Sequence, residues 1–287
     1  MTHLSSLPVS KRFSVISLLA SGKEGDVVAA VDTQTQEEMA IKITELGDAQ
    51  KEERFKVVCA KYVSLSHKYL CKGKEFFIED GKGYLVMERL TGDLFDWLKK
   101  QNIKKLEESQ AKRIFRKICK AVKFLHSSGI AHLDLKLENI LMDSSGNPKL
   151  CDFGSAFLQT KRKRALAFLT STSNTPSLIS NLGLRGTQRY SSPELSNQLP
   201  CNPFSSDIYS LGVVLHILLT GHFPNRVDDE STLDLSHAKE VLSPLCFNLL
   251  MSALSEQQQS RATIDELLSH RWLKSNFTVK WLKRLSV

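Results

Sequence analysis

The hydrophobic period of this chain changes once, and that change limits the folds open to it. Through the first third the apolar runs are short and bounded by turn residues. Phe13 to Leu19 and Val27 to Asp32 flank a glycine-bearing turn, and Glu38 to Thr44 and Tyr84 to Glu88 follow. Such runs predict strands. Among them, Ala49 to Leu65 carries a helical pattern with Phe55, Val58, Tyr62 and Val63 on one side. After about Thr91 the spacing becomes three and four. Ile114, Ile118, Ala121, Val122 and Leu125 form one face of a helix that ends at Ser127-Ser128-Gly129. Asp207 to Thr220 is apolar nearly all round and closes on Gly221, which predicts a buried central helix. Strands followed by helices make an α+β chain: a small β-rich lobe, a crossover near residues 88–92, then a larger helical lobe.

The chain has 287 residues, enough to bury a core without staples. Its longest apolar stretch, Leu211 to Leu219, is broken by His216 and is far short of the roughly 20 residues that span a membrane. The first residues lack a signal-peptide shape. The six cysteines are scattered, without zinc spacing, and read as reduced thiols of a cytosolic or nuclear protein. Net charge is +8, and only Lys161-Arg162-Lys163-Arg164 is dense. Aromatic residues do not interleave with the cations, so nucleic acid is not an expected partner, nor is a membrane. No repeat or linker divides the chain.

The chemistry-bearing segment is His132-Leu133-Asp134-Leu135-Lys136-Leu137-Glu138-Asn139, followed thirteen residues after Asn139 by Asp152-Phe153-Gly154. Either piece alone could be a turn or a helix cap. In this order, after an amphipathic helix, they resemble the catalytic-loop and magnesium motifs of protein kinases. Ala20-Ser21-Gly22-Lys23-Glu24-Gly25-Asp26-Val27 resembles the Gly-rich loop, with Ala20 for its first glycine, and Met39-Ala40-Ile41-Lys42 resembles V-A-I-K. Gly186 to Glu194 resembles the substrate-docking strip that ends in A-P-E, with Ser192 for Ala. Asp207, Ser210 and Gly212 match a helix motif in which Tyr209 replaces tryptophan, and Arg261 matches a late arginine that pairs with Glu194. The chain is thus similar to a eukaryotic-type serine/threonine protein kinase domain from about Phe13 to Leu273. Tyr84 to Phe95 and Glu138 resemble the calmodulin-dependent and SNF1-like branch.

The resemblance implies a bilobal kinase fold: a small lobe at 1–87, a hinge at 88–92, and a large lobe at 93–275 holding an activation segment at 152–194. A tail follows at 276–287. It also implies ATP and Mg²⁺ as cofactors and a protein substrate. Asp134 would accept the hydroxyl proton and Lys136 would meet the γ-phosphate. Asn139 and Asp152 would hold Mg²⁺ through hard oxygens. Lys42 would meet the α- and β-phosphates, with Gly22, Gly25 and Ala20 around them. Val27, Ala40 and Leu141 would sandwich the adenine, beside Met87 as gatekeeper and Glu88 to Leu90 as hinge. Asp93 and Glu138 would favour arginine upstream of the acceptor. Cys151 would line the ATP pocket.

Three departures accompany the match. Leu133 stands where H-R-D has arginine, which removes the charge that a phosphorylated activation segment commonly neutralises; phosphorylation at Thr170 to Thr175 is then dispensable for the chemical step. The helix glutamate that should pair with Lys42 falls near Val57 or Val58; Glu53 is the preferred substitute and Glu52 the second. The segment from Gly154 to Ser192 is long and polar. An active kinase leads these readings, against a pseudokinase scaffold and a small-molecule kinase of related fold. The oligomeric state is open.

Overall fold

The computed structural model describes residues 12–22, 25–159, 179, 186–227 and 232–274. The basic run at 161–164, the acceptors at 170–175 and the tail at 276–287 lie outside the described residues. The described chain forms two compact units: residues up to Leu94 with Asn139–Ala156, and Phe95–Glu138 with the remainder from Phe157.

The first unit is built on a five-stranded antiparallel sheet in the order β1-β2-β3-β5-β4. The strands are β1 Phe13–Gly22, β2 Gly25–Asp32, β3 Glu38–Glu45, β4 Gly73–Glu79 and β5 Lys82–Glu88. One face closes over Phe13, Val28, Ala30, Met39, Ile41, Ile43, Tyr84 and Val86. Phe77 stacks on Tyr84 with centroids 4.8 Å apart, a cross-strand pair that joins β4 to β5. Helix α1, Ala49–Val63, starts where the Asp48 carboxylate accepts the Lys51 N–H at 2.8 Å.

Residues 139–156 were expected in the larger lobe, and the structure groups them with the sheet unit. The reason is hydrogen bonding. Leu150 receives the Cys71 N–H and donates its own to Tyr69, both at 2.9 Å. Strand β6, Gly92–Asp93, pairs with β8, Ile140–Met142, which pairs with β9, Pro148–Leu150. Lys149 also reaches both Glu88 oxygens at 2.7 and 2.9 Å.

The second unit is helical. Helix α3, Glu108–Ser127, buries Ile114, Ile118, Ala121, Val122 and Leu125, the face read from the sequence. Before it comes α2, Leu94–Lys100, and after it the short strand β7, Ile130–Ala131, which pairs with β10, Phe157–Leu158. Helix α4, Pro193–Ser196, leads to α5, Pro203–Thr220. The α5 helix is long and apolar enough to cross a membrane, but 94% of it is buried inside the protein. Asn202 caps its start and Gly221, at φ 82°, ends it.

Candidate active site

In the first unit, a cavity of about 630 Å³ is lined by Gly22, Gly25, Lys42, Asp152 and Gly154, with Phe55, Val58, Cys59, Tyr62 and Leu85 behind them. Lys42 sits in the interior of β3, opposite Val27 on one side and Leu85 on the other. Its Nζ donates to both Asp152 oxygens at 2.8 Å. Asp152 has φ 63°, and its Oδ1 also accepts the Gly154 N–H at 3.1 Å. Gly25 has φ 118°, and a Cβ there would lie 1.8 Å from the Ile43 carbonyl oxygen, so only glycine lets the turn fold over this cavity. Asn139 is tied to the same segment: its carbonyl accepts the Cys151 N–H at 3.0 Å.

Other sequence candidates lie in this unit outside the cavity lining. Ala20 pairs with Val27 across β1 and β2, and Ala40 pairs with Met87 across β3 and β5. Ala40, Met87 and Leu90 are buried; Leu141 is half-buried. Glu88 is occupied structurally, its carboxylate accepting the Lys72 N–H at 2.7 Å as well as Lys149.

Two expectations are corrected. Glu53 is exposed and absent from the lining, and Lys42 is met by Asp152. Glu53 lies four residues from Val57, which is 49% exposed, whereas the residue that faces the cavity is Val58. One position along a helix turns a side chain by about 100°, which carries Glu53 off the inward face. Glu52 pairs with Lys56 at 2.6 Å on the surface. Cys151 is likewise outside the lining. Burial pushes its thiol well above the ordinary value, and the thiol donates to the Asn139 carbonyl at 3.4 Å. The cysteine that does line the cavity is Cys59, whose thiol burial pushes up to about 12 despite the nearby Lys42 charge.

In the second unit the catalytic-type loop is held from below. Asp207, fully buried on α5, accepts the His132 N–H, the Leu133 N–H and His126 Nε2, each at 2.8 Å. Leu133 has φ 62° and packs with Ala131, Leu195 and Cys201 in a core cluster. The position that carries arginine in H-R-D is therefore part of the apolar core. Asp134 follows with its side chain fixed. Its Oδ1 accepts the Thr187 N–H at 2.9 Å and hydroxyl at 3.1 Å; its Oδ2 faces Lys136 Nζ at 2.8 Å. Lys136 also donates to the Thr187 hydroxyl at 2.9 Å. Gly186 permits this approach, because a Cβ there would sit 2.3 Å from the Leu133 carbonyl oxygen.

The docking strip is anchored by Glu194. Arg261 grips both its oxygens, at 2.7 and 3.1 Å, inside the protein. Ser192 donates to Ser206, which donates to Glu194. Sequence reasoning noted Thr187 and Asp207 as motif letters and missed their contacts with the loop. It also missed Arg54 and Cys59, whose signal was their helical spacing with Val58 and Tyr62.

The comparisons agree with this geometry. The protein kinase domain family matches residues 13–273. Among curated proteins, the chain is 32% identical to testis-specific serine/threonine-protein kinase 2 of Mus musculus, over 74% of this chain and 58% of that protein. It is 30% identical to CBL-interacting serine/threonine-protein kinase 26 of Arabidopsis thaliana, over 93% of this chain and 60% of that one. Protein kinase kin1 of Schizosaccharomyces pombe is 28% identical over 90% of this chain. The chain spans 30% of the length of kin1, and with 58% and 60% of the other two it covers less than two thirds of each of these three relatives. With the family match running across nearly the whole chain, this protein belongs to the protein kinase domain family.

Proposed function

We propose that this chain is a serine/threonine protein kinase that moves the γ-phosphoryl group of Mg-ATP to a protein hydroxyl. The observation that carries the reading is the fixed carboxylate of Asp134, bonded to Thr187 and facing Lys136 at 2.8 Å. Asp134 orients the attacking hydroxyl and takes its proton; general bases of this kind contribute about 10²–10⁴ in rate. The Lys136 ammonium, 2.8 Å from Asp134 Oδ2, is placed to meet an incoming phosphoryl group. Thr187 holds the carboxylate in one rotamer, so little reorganisation remains for the reaction.

A protein kinase domain uses ATP and typically Mg²⁺, and the residues of the first unit suit both. Lys42 is a cation held at the cavity wall, Gly25 supplies backbone without a side chain, and Asp152 and Asn139 offer hard oxygens. Bound there, Mg²⁺ would neutralise charge on the phosphates. Within the protein-substrate reading we favour arginine upstream of the acceptor. Glu138 supports this: it is exposed, and Tyr190 Oη approaches it at 3.4 Å. Asp93, half-buried on β6, is the second carboxylate. The cysteines, all free and all buried, support a reducing compartment, the cytosol or nucleus.

Phosphate transfer from labelled ATP to a mixed peptide library tests the proposal. Wild-type protein is expected to label serine or threonine peptides, and Asp134→Asn to lose at least about 10² of that rate. Equal labelling by both proteins overturns the reading.

A further inference from the structure

The face of α1 that lines the cavity is made by Lys51, Arg54, Phe55, Val58, Cys59 and Tyr62, and no carboxylate of the helix stands among them. Asp152 meets the Lys42 charge at 2.8 Å, and it is also the residue suited to hold a metal ion. A carboxylate with two tasks changes partners during use, so the turn that carries it needs a support independent of both. Arg54 gives one. Its Nη2 donates to the Gly154 carbonyl at 2.9 Å and the Ala156 carbonyl at 3.3 Å. Two turns along the same face, Tyr62 stacks on Phe153 with centroids 4.5 Å apart, and its hydroxyl donates to the Cys71 carbonyl. The helix thus touches the residues on both sides of Gly154 through groups that neither titrate near neutrality nor ligate metal.

We infer that Arg54 is a positioning residue that keeps the 152–156 turn, and with it the Asp152 carboxylate, in the geometry that accepts a metal-bound nucleotide. The inference deepens the kinase reading and rests on it for the identity of the ligand. Arg54 does this through backbone carbonyls, so its effect follows the metal and not the nucleotide itself. The exposed guanidinium is not part of the core, which makes its removal informative.

The test compares Arg54→Ala and Arg54→Lys with wild type by calorimetric titration of ADP, with and without Mg²⁺, by melting temperature, and by kcat. Loss of a group that orients a ligating side chain typically weakens metal binding by about 10–100-fold. Arg54→Ala is expected to lose about tenfold of Mg²⁺-dependent ADP affinity and a similar factor in kcat. Its metal-free ADP affinity should stay within about twofold, and its melting temperature within about 2 °C. Arg54→Lys, with one donor cluster where the guanidinium has a fork, should recover part of the loss. Unchanged Mg²⁺ dependence in Arg54→Ala overturns the proposal. So does an equal loss of ADP affinity with and without metal, or a general fall in melting temperature. A wild-type protein that binds Mg-ADP yet transfers no phosphate would overturn the kinase reading, while the binding comparison would still decide the role of Arg54.

Discussion

Replacing Arg261 by alanine should unsettle the second unit more than any surface change. The guanidinium is fully buried, and Glu194 opposite it is 8% exposed. Besides the two bonds to Glu194, it donates to the Ser205 carbonyl at 3.0 Å, the Ser255 carbonyl at 3.0 Å and the Glu256 carbonyl at 3.2 Å. Arg261→Ala removes all of these and leaves the Glu194 carboxylate buried with Ser206 as its side-chain donor. Stranding one member of a buried pair costs about 3–5 kcal/mol. For a domain of this size, about 2–4 °C of melting temperature follows each kcal/mol, so the expected fall is about 6–20 °C. Circular dichroism melts would measure it. Arg261→Lys should fall between, since lysine keeps the charge and loses the fork. The double variant Arg261→Met with Glu194→Leu should regain part of the loss, because an apolar pair strands no charge. There is also a pH signature. Burial alone would raise the Glu194 carboxyl, but the Arg261 bonds and charge hold it below its ordinary 4.5. A lowered folded value stabilises above the unfolded value and is lost as pH falls through the folded one. The wild-type advantage over Arg261→Ala should therefore shrink below about pH 4.5. A melting shift under about 3 °C at neutral pH would refute the reasoning.

Four further outcomes are expected. Thr187→Ala should lower kcat about tenfold while Thr187→Ser retains most of it, since the hydroxyl that bridges Asp134 and Lys136 is kept; equal activity in both variants would remove Thr187 from the loop. Glu53→Gln should change kcat/KM less than about twofold, because Glu53 is exposed and off the cavity face; a loss near that of Lys42→Met would restore it as the lysine's partner. Cys151 should resist alkylation equally with and without nucleotide, as its buried thiol is held protonated; mass spectrometry showing nucleotide-protected labelling would contradict this. Arg12 bonds lower the Asp32 carboxyl from 3.8 to about 2, a stabilisation present above 3.8 and lost as pH falls toward 2. Arg12→Ala should therefore unfold at higher pH in an acid titration followed by circular dichroism, and an unshifted midpoint would discount the pair.

What was legible in the sequence is what chemistry makes hard to substitute. A cation for phosphate, oxygen ligands for a metal and glycines for a close backbone approach each restrict the residue type, so Lys42, Asp152, Gly22 and Gly25 could be named from their order. The structure brings those four to one cavity. The change of hydrophobic period likewise marked the sheet unit and the helices. Facing direction was harder to read. Whether Glu53 or Val58 looks inward depends on how α1 is turned against the sheet, and the helix's own pattern leaves that open by one residue. Long-range capping was invisible for another reason: Asp207 lies 75 residues beyond His132, and no local pattern links a carboxylate to amides so far away. The grouping of residues 139–156 depends on backbone ladders to Leu70 and Cys71, which leave no mark in side-chain type.

The Asp207 clamp also ties two kinds of durability together. The amides of His132 and Leu133 are bonded to a side chain rooted in the most deeply buried helix of the unit. Freeing them takes two of its donors from a buried carboxylate and leaves it His126, which costs about 1–3 kcal/mol or more. Solvent exchange at these two amides is therefore expected to be slower than at exposed loop amides. The order of the loop bearing Asp134 is thereby tied to the helix that carries Asp207, so loss of its working shape on warming should accompany loss of that helix.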